Sequence, residues 1–298
     1  MFRAPRPALS LLAGFVLVVA SACSSSATSA PAAPGSTGAP TAAASAVNAN
    51  DPNSIITAAL SGADAVKSFH IEIDISGSIS EAVVASAEGA GSGASGNLKL
   101  DGSTIQGDVD VANEAAHLTL SLPTVPITGD IILVGGNLYY KTSMTGAKYT
   151  MMSLGDLSSL TGSLPVSIPT PGATAMASSL TDELSQLQAE MDQAGVKATL
   201  VGVEQIGGQD AYHINVSIPL DTINAEIAAA SDAPPGAKID SASLDVWIYK
   251  DGDRLAKVEL KGASSLIGNL DVVLTITNYD VPVTVTAPAA SDVNPAGS

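Results

Sequence analysis

Phe69-His70-Ile71-Glu72-Ile73-Asp74-Ile75 sets an apolar residue at every odd position and a polar one at every even position. Side chains of an extended strand alternate between its two faces, so this stretch reads as a strand with one dry and one wet side. The alternation recurs outward along the chain. Leu98 and Leu100 alternate with Asn97, Lys99 and Asp101, residues 106–111 turn Val109 and Val111 the same way, and residues 117–122 put Leu118, Leu120 and Leu122 on one side. Residues 127–134 are apolar almost throughout and lead through Gly135-Gly136-Asn137 into Leu138-Tyr139-Tyr140-Lys141, a hairpin signal. Further strands are expected at 198–206, 211–218, 244–249, 255–260 and 269–279, with turns at Gly207-Gly208 and Lys250-Asp251-Gly252-Asp253.

Helical spacing is confined to a few blocks. Residues 51–67 carry Ile55, Ile56, Ala59, Leu60, Ala63 and Val66 on one face, with Ser54 as a candidate cap. Residues 153–160 suggest a short helix. Leu180, Leu184, Leu187 and Met191 form the stripe of another at 178–193, and residues 220–230 suggest a third after Pro219. Runs of about ten strands joined by short turns, with helices in separate blocks, predict an α+β fold with an antiparallel sheet. Such a sheet can curl into an open barrel whose concave side needs a filler. Composition does not decide whether helices fill it or leave an apolar cavity.

The chain has one cysteine in 298 residues, Cys23, behind Arg3 and Arg6, an apolar run over 9–20 and the small residues Ser21 and Ala22. This is the layout of a secretory signal ending where a lipoprotein signal peptidase cuts, with the thiol available for a lipid. The plainer alternative is a secretory signal with an incidental cysteine. A thiol left free outside the cell is disfavoured, which favours lipidation. Cleavage before Cys23 takes 22 of the 298 residues and leaves 276. It also removes Arg3 and Arg6, so 10 basic residues face 29 acidic ones, a net charge of −19. That excess argues against nucleic acid and against lying flat on an anionic membrane. The expected organisation is a signal at 1–22, a lipidated N-terminus and flexible linker at 23–50, a domain at 51–288 and a disordered tail at 289–298. Anchoring would be at the extracytoplasmic face of the cell membrane, with the chain a monomer.

No reactive constellation stands out. Gly91-Ser92-Gly93-Ala94-Ser95-Gly96 has dinucleotide-loop spacing but precedes a strand rather than a helix, which reads as a loop. His70, His117 and His213 fall on three different expected strands and show no metal-ligand spacing. Asp251 and Asp253 supply too few oxygens for calcium. No Gly-x-Ser-x-Gly elbow occurs. No catalytic residue, metal or cofactor is expected, and the chain is read as a non-enzyme. Aromatic residues are 3 % and charged residues 14 % of the chain. An aliphatic interior of that kind suits lipid chains better than sugars.

Several segments resemble the actinobacterial lipoprotein family that includes LppX, LprG, LprA and LprF. They are the cysteine and small-residue tether, Gly136-Asn137-Leu138-Tyr139-Tyr140-Lys141, residues 203–213, Val246-Trp247-Ile248-Tyr249-Lys250-Asp251-Gly252, and Tyr279-Asp280-Val281-Pro282-Val283. The resemblance implies a curved antiparallel half-barrel over a few helices, with a hydrophobic cavity for acylated lipids or glycolipids carried through the cell envelope. Two departures bear on the ligand: Tyr140 stands where the family has a small residue, and residues 81–96 form an expanded loop. The expected cavity wall is Ile71, Ile73, Ile75, Leu98, Leu100, Val109, Val111, Leu118, Leu120, Ile132, Val134 and Leu138, with Tyr140 narrowing it or adding a hydroxyl at its rim. The competing readings are a non-carrying surface lipoprotein that assists a membrane transporter, and a secreted hydrolase with a serine–histidine–acid cluster.

Overall fold

The computed structural model describes residues 48–80, 97–124, 126–155, 195–229, 236–264 and 268–294. Alternation has produced one antiparallel sheet of twelve strands. These are β1 (Ser68–Ile79), β2 (Leu98–Lys99), β3 (Ser103–Asp110), β4 (Ala115–Leu122), β5 (Ile127–Val134) and β6 (Asn137–Thr142). They continue as β7 (Thr150–Ser153), β8 (Lys197–Ile206), β9 (Gln209–Ser217), β10 (Ile239–Tyr249), β11 (Leu255–Ser264) and β12 (Gly268–Thr277). Among the described residues two helices accompany them, α1 (Pro52–Gly62) and α2 (Leu220–Ala229). The strand absent from the sequence reading is β7, whose four residues, Thr-Met-Met-Ser, are too few to display a period.

The strand order is β7-β6-β5-β4-β3-β1-β12-β11-β10-β9-β8, with β2 on β1. The chain starts at the centre with β1 and walks by hairpins to the edge strand β7. The next described strand, β8, is the opposite edge, and from it the chain walks back until β12 closes on β1. The two edges remain apart, so the sheet is an open half-barrel. Cys23, the linker before residue 48, the loop at 81–96, the helix expected at 178–193 and most of that at 153–160 lie outside the described residues.

Cross-strand partners share a face, so the register sorts the residues. On the inner face, Ile71, Ile73 and Ile75 stand beside Ile276, Leu274 and Val272 of β12. On their other flank are Gly107, Ile105 and Ser103 of β3. The outer face of β1 carries His70, Glu72 and Asp74. α1 lies on the inner face over β8–β10, where Ile55 is fully buried among Ile214, Val216, Val246 and Ile248. Burial of one such side chain is worth about 2–3 kcal/mol.

α1 is shorter than the expected 51–67. It ends at Gly62 and passes into a 3-10 turn, Ala63–Ala65. Its cap is Asp51, not Ser54: the Asp51 carboxylate accepts from the Asn53 N–H at 3.1 Å, while Ser54 Oγ accepts from the Asn48 N–H at 3.2 Å. Pro52 explains the shift, because its fixed φ and missing N–H suit the first helical position.

Gly77 and Gly268 let β1 and β12 meet closely. Gly77 has φ +113°, and a Cβ there would lie 2.2 Å from the Asn269 carbonyl oxygen. The chain then ends in a strap, residues 279–294. Asp280 N–H donates to Ser68 O, Ser68 Oγ to Val281 O, and Lys67 N–H to Asp280 Oδ1, at 2.9, 2.6 and 2.8 Å. At its far end, Tyr149 N–H donates to Asp292 O and Asn294 N–H to Tyr149 O, both at 2.8 Å. The segment expected as tail from 289 therefore holds order through 294, including a 3-10 turn at Ala290–Asp292. Backbone pairing beside β7, which composition does not display, is what holds it.

Candidate functional site

One cross-strand row of the inner face shows how the two halves of the sheet differ. It runs Thr142, Gly129, Leu120, Ile105, Ile73, Leu274, Val258, Val246, Ile214 and Leu200, from β6 to β8. Leu120, Ile105 and Ile73 are half-buried, whereas Leu274, Val258, Val246 and Ile214 fall to 8, 6, 2 and 0 % exposure. α1 and the strands beneath it form a filled core. Over β1 and β3–β7 the inner face is also largely aliphatic; Phe69 and Ser103 are buried there, whereas Ile71, Ile73, Ile75, Ile105, Leu118, Leu120, Ile131 and Leu133 are half-buried.

A second row, Thr150, Tyr140, Ile131, Leu118, Gly107, Ile71 and Ile276, contains a gap. Gly107 offers no side chain between Leu118 and Ile71, and a Cβ there would meet the His117 carbonyl oxygen at 2.0 Å. Gly129 leaves a similar vacancy in the first row, beside Leu120. Aliphatic walls with side-chain gaps are what a hydrocarbon chain can lie against.

The register brings most of the expected wall onto this face. Ile71, Ile73, Ile75, Val109, Leu118, Leu120, Leu138 and Tyr140 share it. Leu98 joins them opposite Ile79. Leu100 follows β2, donating its N–H to Gly77 O at 2.9 Å. Val111 packs beyond β3 against the cluster of Phe69, Val258, Leu274 and Ile276, as does Val109. Ile132 and Val134 do not join this face. Ile132 pairs with His117 and Tyr139, and Val134 with Asn137, on the outer side. β5 is apolar on both faces, so hydrophobicity alone gives no phase. The two-residue turn does: it opposes Leu133 to Leu138, which puts Leu133 and Ile131 inward. Ile105, Ile131, Leu133 and Met152 are among the inner-face residues that the expected wall left out. Cys23 lies outside the described residues.

The outer face carries most of the sheet's charged and polar side chains, many of them paired, beside an apolar cluster of Ala211, Trp247, Tyr249 and Ala256. His70 Nδ1 lies 2.8 Å from Asp108 and His117 Nε2 2.9 Å from Asp130, which also accepts from Tyr149 Oη at 2.9 Å. His213 contacts Glu204 and Asp245 at 2.9 and 3.0 Å and stacks on Trp247 at 4.3 Å between ring centroids. The Trp247 indole N–H, and then His213, hold the Glu204 carboxyl below its usual range. Lys257 and Lys261 do the same for Glu259. Each histidine is engaged by carboxylates as a cross-strand tie, and the three stand on separate strand pairs. Among the described residues no group of three or more His, Cys, Asp or Glu is arranged to hold a metal ion.

A shallow hollow of about 510 Å³ lies where the strap meets β6 and β7, lined by Tyr139, Met151, Pro288, Ala290, Val293 and Asn294. Tyr139 and Met151 belong to the outer face, so this hollow is separate from the aliphatic inner surface.

No protein-family model matches the sequence, and no curated protein sequence matches it. Among solved structures, the chain is similar to the lipoprotein LppX of Mycobacterium tuberculosis, at 17 % identity and TM-score 0.43, over 78 % of this chain and 96 % of that one. It is similar to LprF of Mycobacterium bovis at 16 % identity and TM-score 0.43, over 79 % and 96 %. A LolA superfamily protein of Nitrosomonas europaea aligns at 12 % identity and TM-score 0.26, over 78 % and 94 %.

Proposed function

We propose that this chain is an extracytoplasmic lipoprotein, tethered through a lipid on Cys23, that carries acylated lipids or glycolipids through the cell envelope. The observation that carries the reading is the inner-face row that passes from burial at Ile214, Val246, Val258 and Leu274 to half-buried Ile73, Ile105 and Leu120 over β1, β3 and β4. A sheet needing only a core would bury both halves alike. Hydrocarbon moved from water onto this surface gains about 0.8 kcal/mol per methylene, so two or three acyl chains bind firmly without a charged contact. The acidic body, −17 over the full chain, is repelled by anionic headgroups while the tether keeps it near the membrane.

The test is mass spectrometry of lipid retained by gently purified protein in which Cys23→Ser removes the anchor. Acyl lipid at about one molecule per chain is expected. Protein recovered without lipid, and unable to take up added lipid, would favour the non-carrying surface module instead.

A further inference from the structure

We infer that Tyr140 reads the ligand's linkage, its hydroxyl donating to the carbonyl oxygen of an ester-linked acyl chain, so that the site prefers ester lipids to ether lipids. The inference rests on the lipid-carrying reading of the inner face. Tyr140 is the inner member of the Tyr139-Tyr140 pair, opposite Ile131 on β5 and Thr150 on β7. The hydroxyls of Tyr149, Tyr249 and Tyr279 donate to Asp130, the Ile276 carbonyl and the Leu255 carbonyl. Thr142, next along the same face, donates to Thr145 Oγ1, and Thr150 Oγ1 accepts from Asn294 Nδ2 at 3.5 Å. Tyr140 Oη has no partner among the described residues, and its side chain is half-buried.

A hydroxyl open to water needs no protein partner. Covered by hydrocarbon, the same hydroxyl loses its water and becomes an unpaired donor, which weakens binding. A ligand that places a carbonyl oxygen there restores the bond, and an ether oxygen is the poorer acceptor. The surroundings fit that placement. Tyr140, Thr142 and Thr150 gather hydroxyls at the β6–β7 edge, while Ile131, Leu118 and Ile71 continue inward as hydrocarbon, with the gap at Gly107. Acyl chains would lie along that row with their ester groups at the hydroxyl corner.

The experiment is a competition assay on the full-length protein in detergent. A dipalmitoyl phosphatidylcholine is compared with its dihexadecyl ether counterpart, for the wild type and Tyr140→Phe. The wild type is expected to bind the ester about tenfold more tightly, the worth of one hydrogen bond. Tyr140→Phe should bind both lipids alike, its ether affinity equal to or above that of the wild type, which also shows the apolar surface intact. A wild type indifferent to linkage, or a variant that keeps the preference, overturns the role of Tyr140 and leaves lipid binding standing. A wild type that binds neither lipid overturns both.

Discussion

Leu118→Trp and Ile55→Ala should separate ligand binding from stability on one sheet. Leu118 is half-buried on the inner face of β4, between Ile131 and the gap at Gly107. An indole there has room to lie over Gly107 and takes space otherwise open to hydrocarbon. If it displaces about three methylenes of a bound chain, at about 0.8 kcal/mol each, affinity falls by about 2.4 kcal/mol, or about fiftyfold. Folding stability should change by less than about 1 kcal/mol, because Leu118 is half-buried and its register neighbour Gly107 has no side chain. Ile55 is the opposite case, at 0 % exposure under α1. Ile55→Ala deletes three carbons, and their transfer cost plus that of the cavity left behind comes to about 3–4 kcal/mol. Its urea midpoint should fall by about 1 M or more, while lipid affinity stays within about twofold below the transition. Urea denaturation followed by circular dichroism, and lipid competition on the same preparations, read both quantities. A Leu118→Trp midpoint lowered as far as that of Ile55→Ala would show Leu118 to be packed core. Unchanged lipid affinity in Leu118→Trp would remove the row from the site.

Two glycines should respond in opposite directions. Gly77→Ala forces a Cβ against the Asn269 carbonyl at positive φ and should cost about 2 kcal/mol or more, whereas at Gly129 a Cβ meets Leu120 at an ordinary 3.4 Å and Ala should be neutral or stabilising by about 0.5 kcal/mol; thermal melts decide. The strap should be lost in acid. The Lys67 N–H, and then Arg254, hold the Asp280 carboxyl below its usual range, so its contribution is present at neutral pH and disappears as the pH falls below the usual carboxylate range, near 4. Protection of residues 279–294 relative to their intrinsic exchange rates should fall there, and Asp280→Asn should reproduce the effect at pH 7; wild-type protection unchanged across the acid range would contradict this.

The fold was legible because most strands have one wet face. In β1, β3 and β4 a polar side chain marks nearly every second position, and alternation alone put Ile71, Val109 and Leu118 on one side. β5 lacks that mark, and Ile132 and Val134 were placed a residue out of phase. The missing information lay in turn length: two glycines between Val134 and Asn137 leave one pairing, and Leu138 then fixes the whole of β5. The strap illustrates a second limit. Residues 289–294 are held by backbone hydrogen bonds to Tyr149, and main-chain pairing at a sheet edge has no side-chain signature. The fully buried part of the inner face could not be told from the half-buried part because Ile214 and Leu118 sit in equally alternating strands. Among the described residues, Ile55 packs over Ile214, and no helix residue holds the same position over Leu118.

An aliphatic surface left partly open invites copies of the chain to stick together, and the outer face counters this. It carries Glu72, Asp74, Asp108, Asp130, Asp245 and Asp271, and only some of these are matched, by His70, His117, His213 and a few lysines. With 29 acidic residues against 12 basic ones, every approach of one molecule to another is met by like charge. A neutral lipid feels no such barrier. Where a strand has a polar side, that side fixes the phase that turns its apolar side inward and adds repulsion between copies of the chain. Both follow from the alternation first seen in residues 69–75.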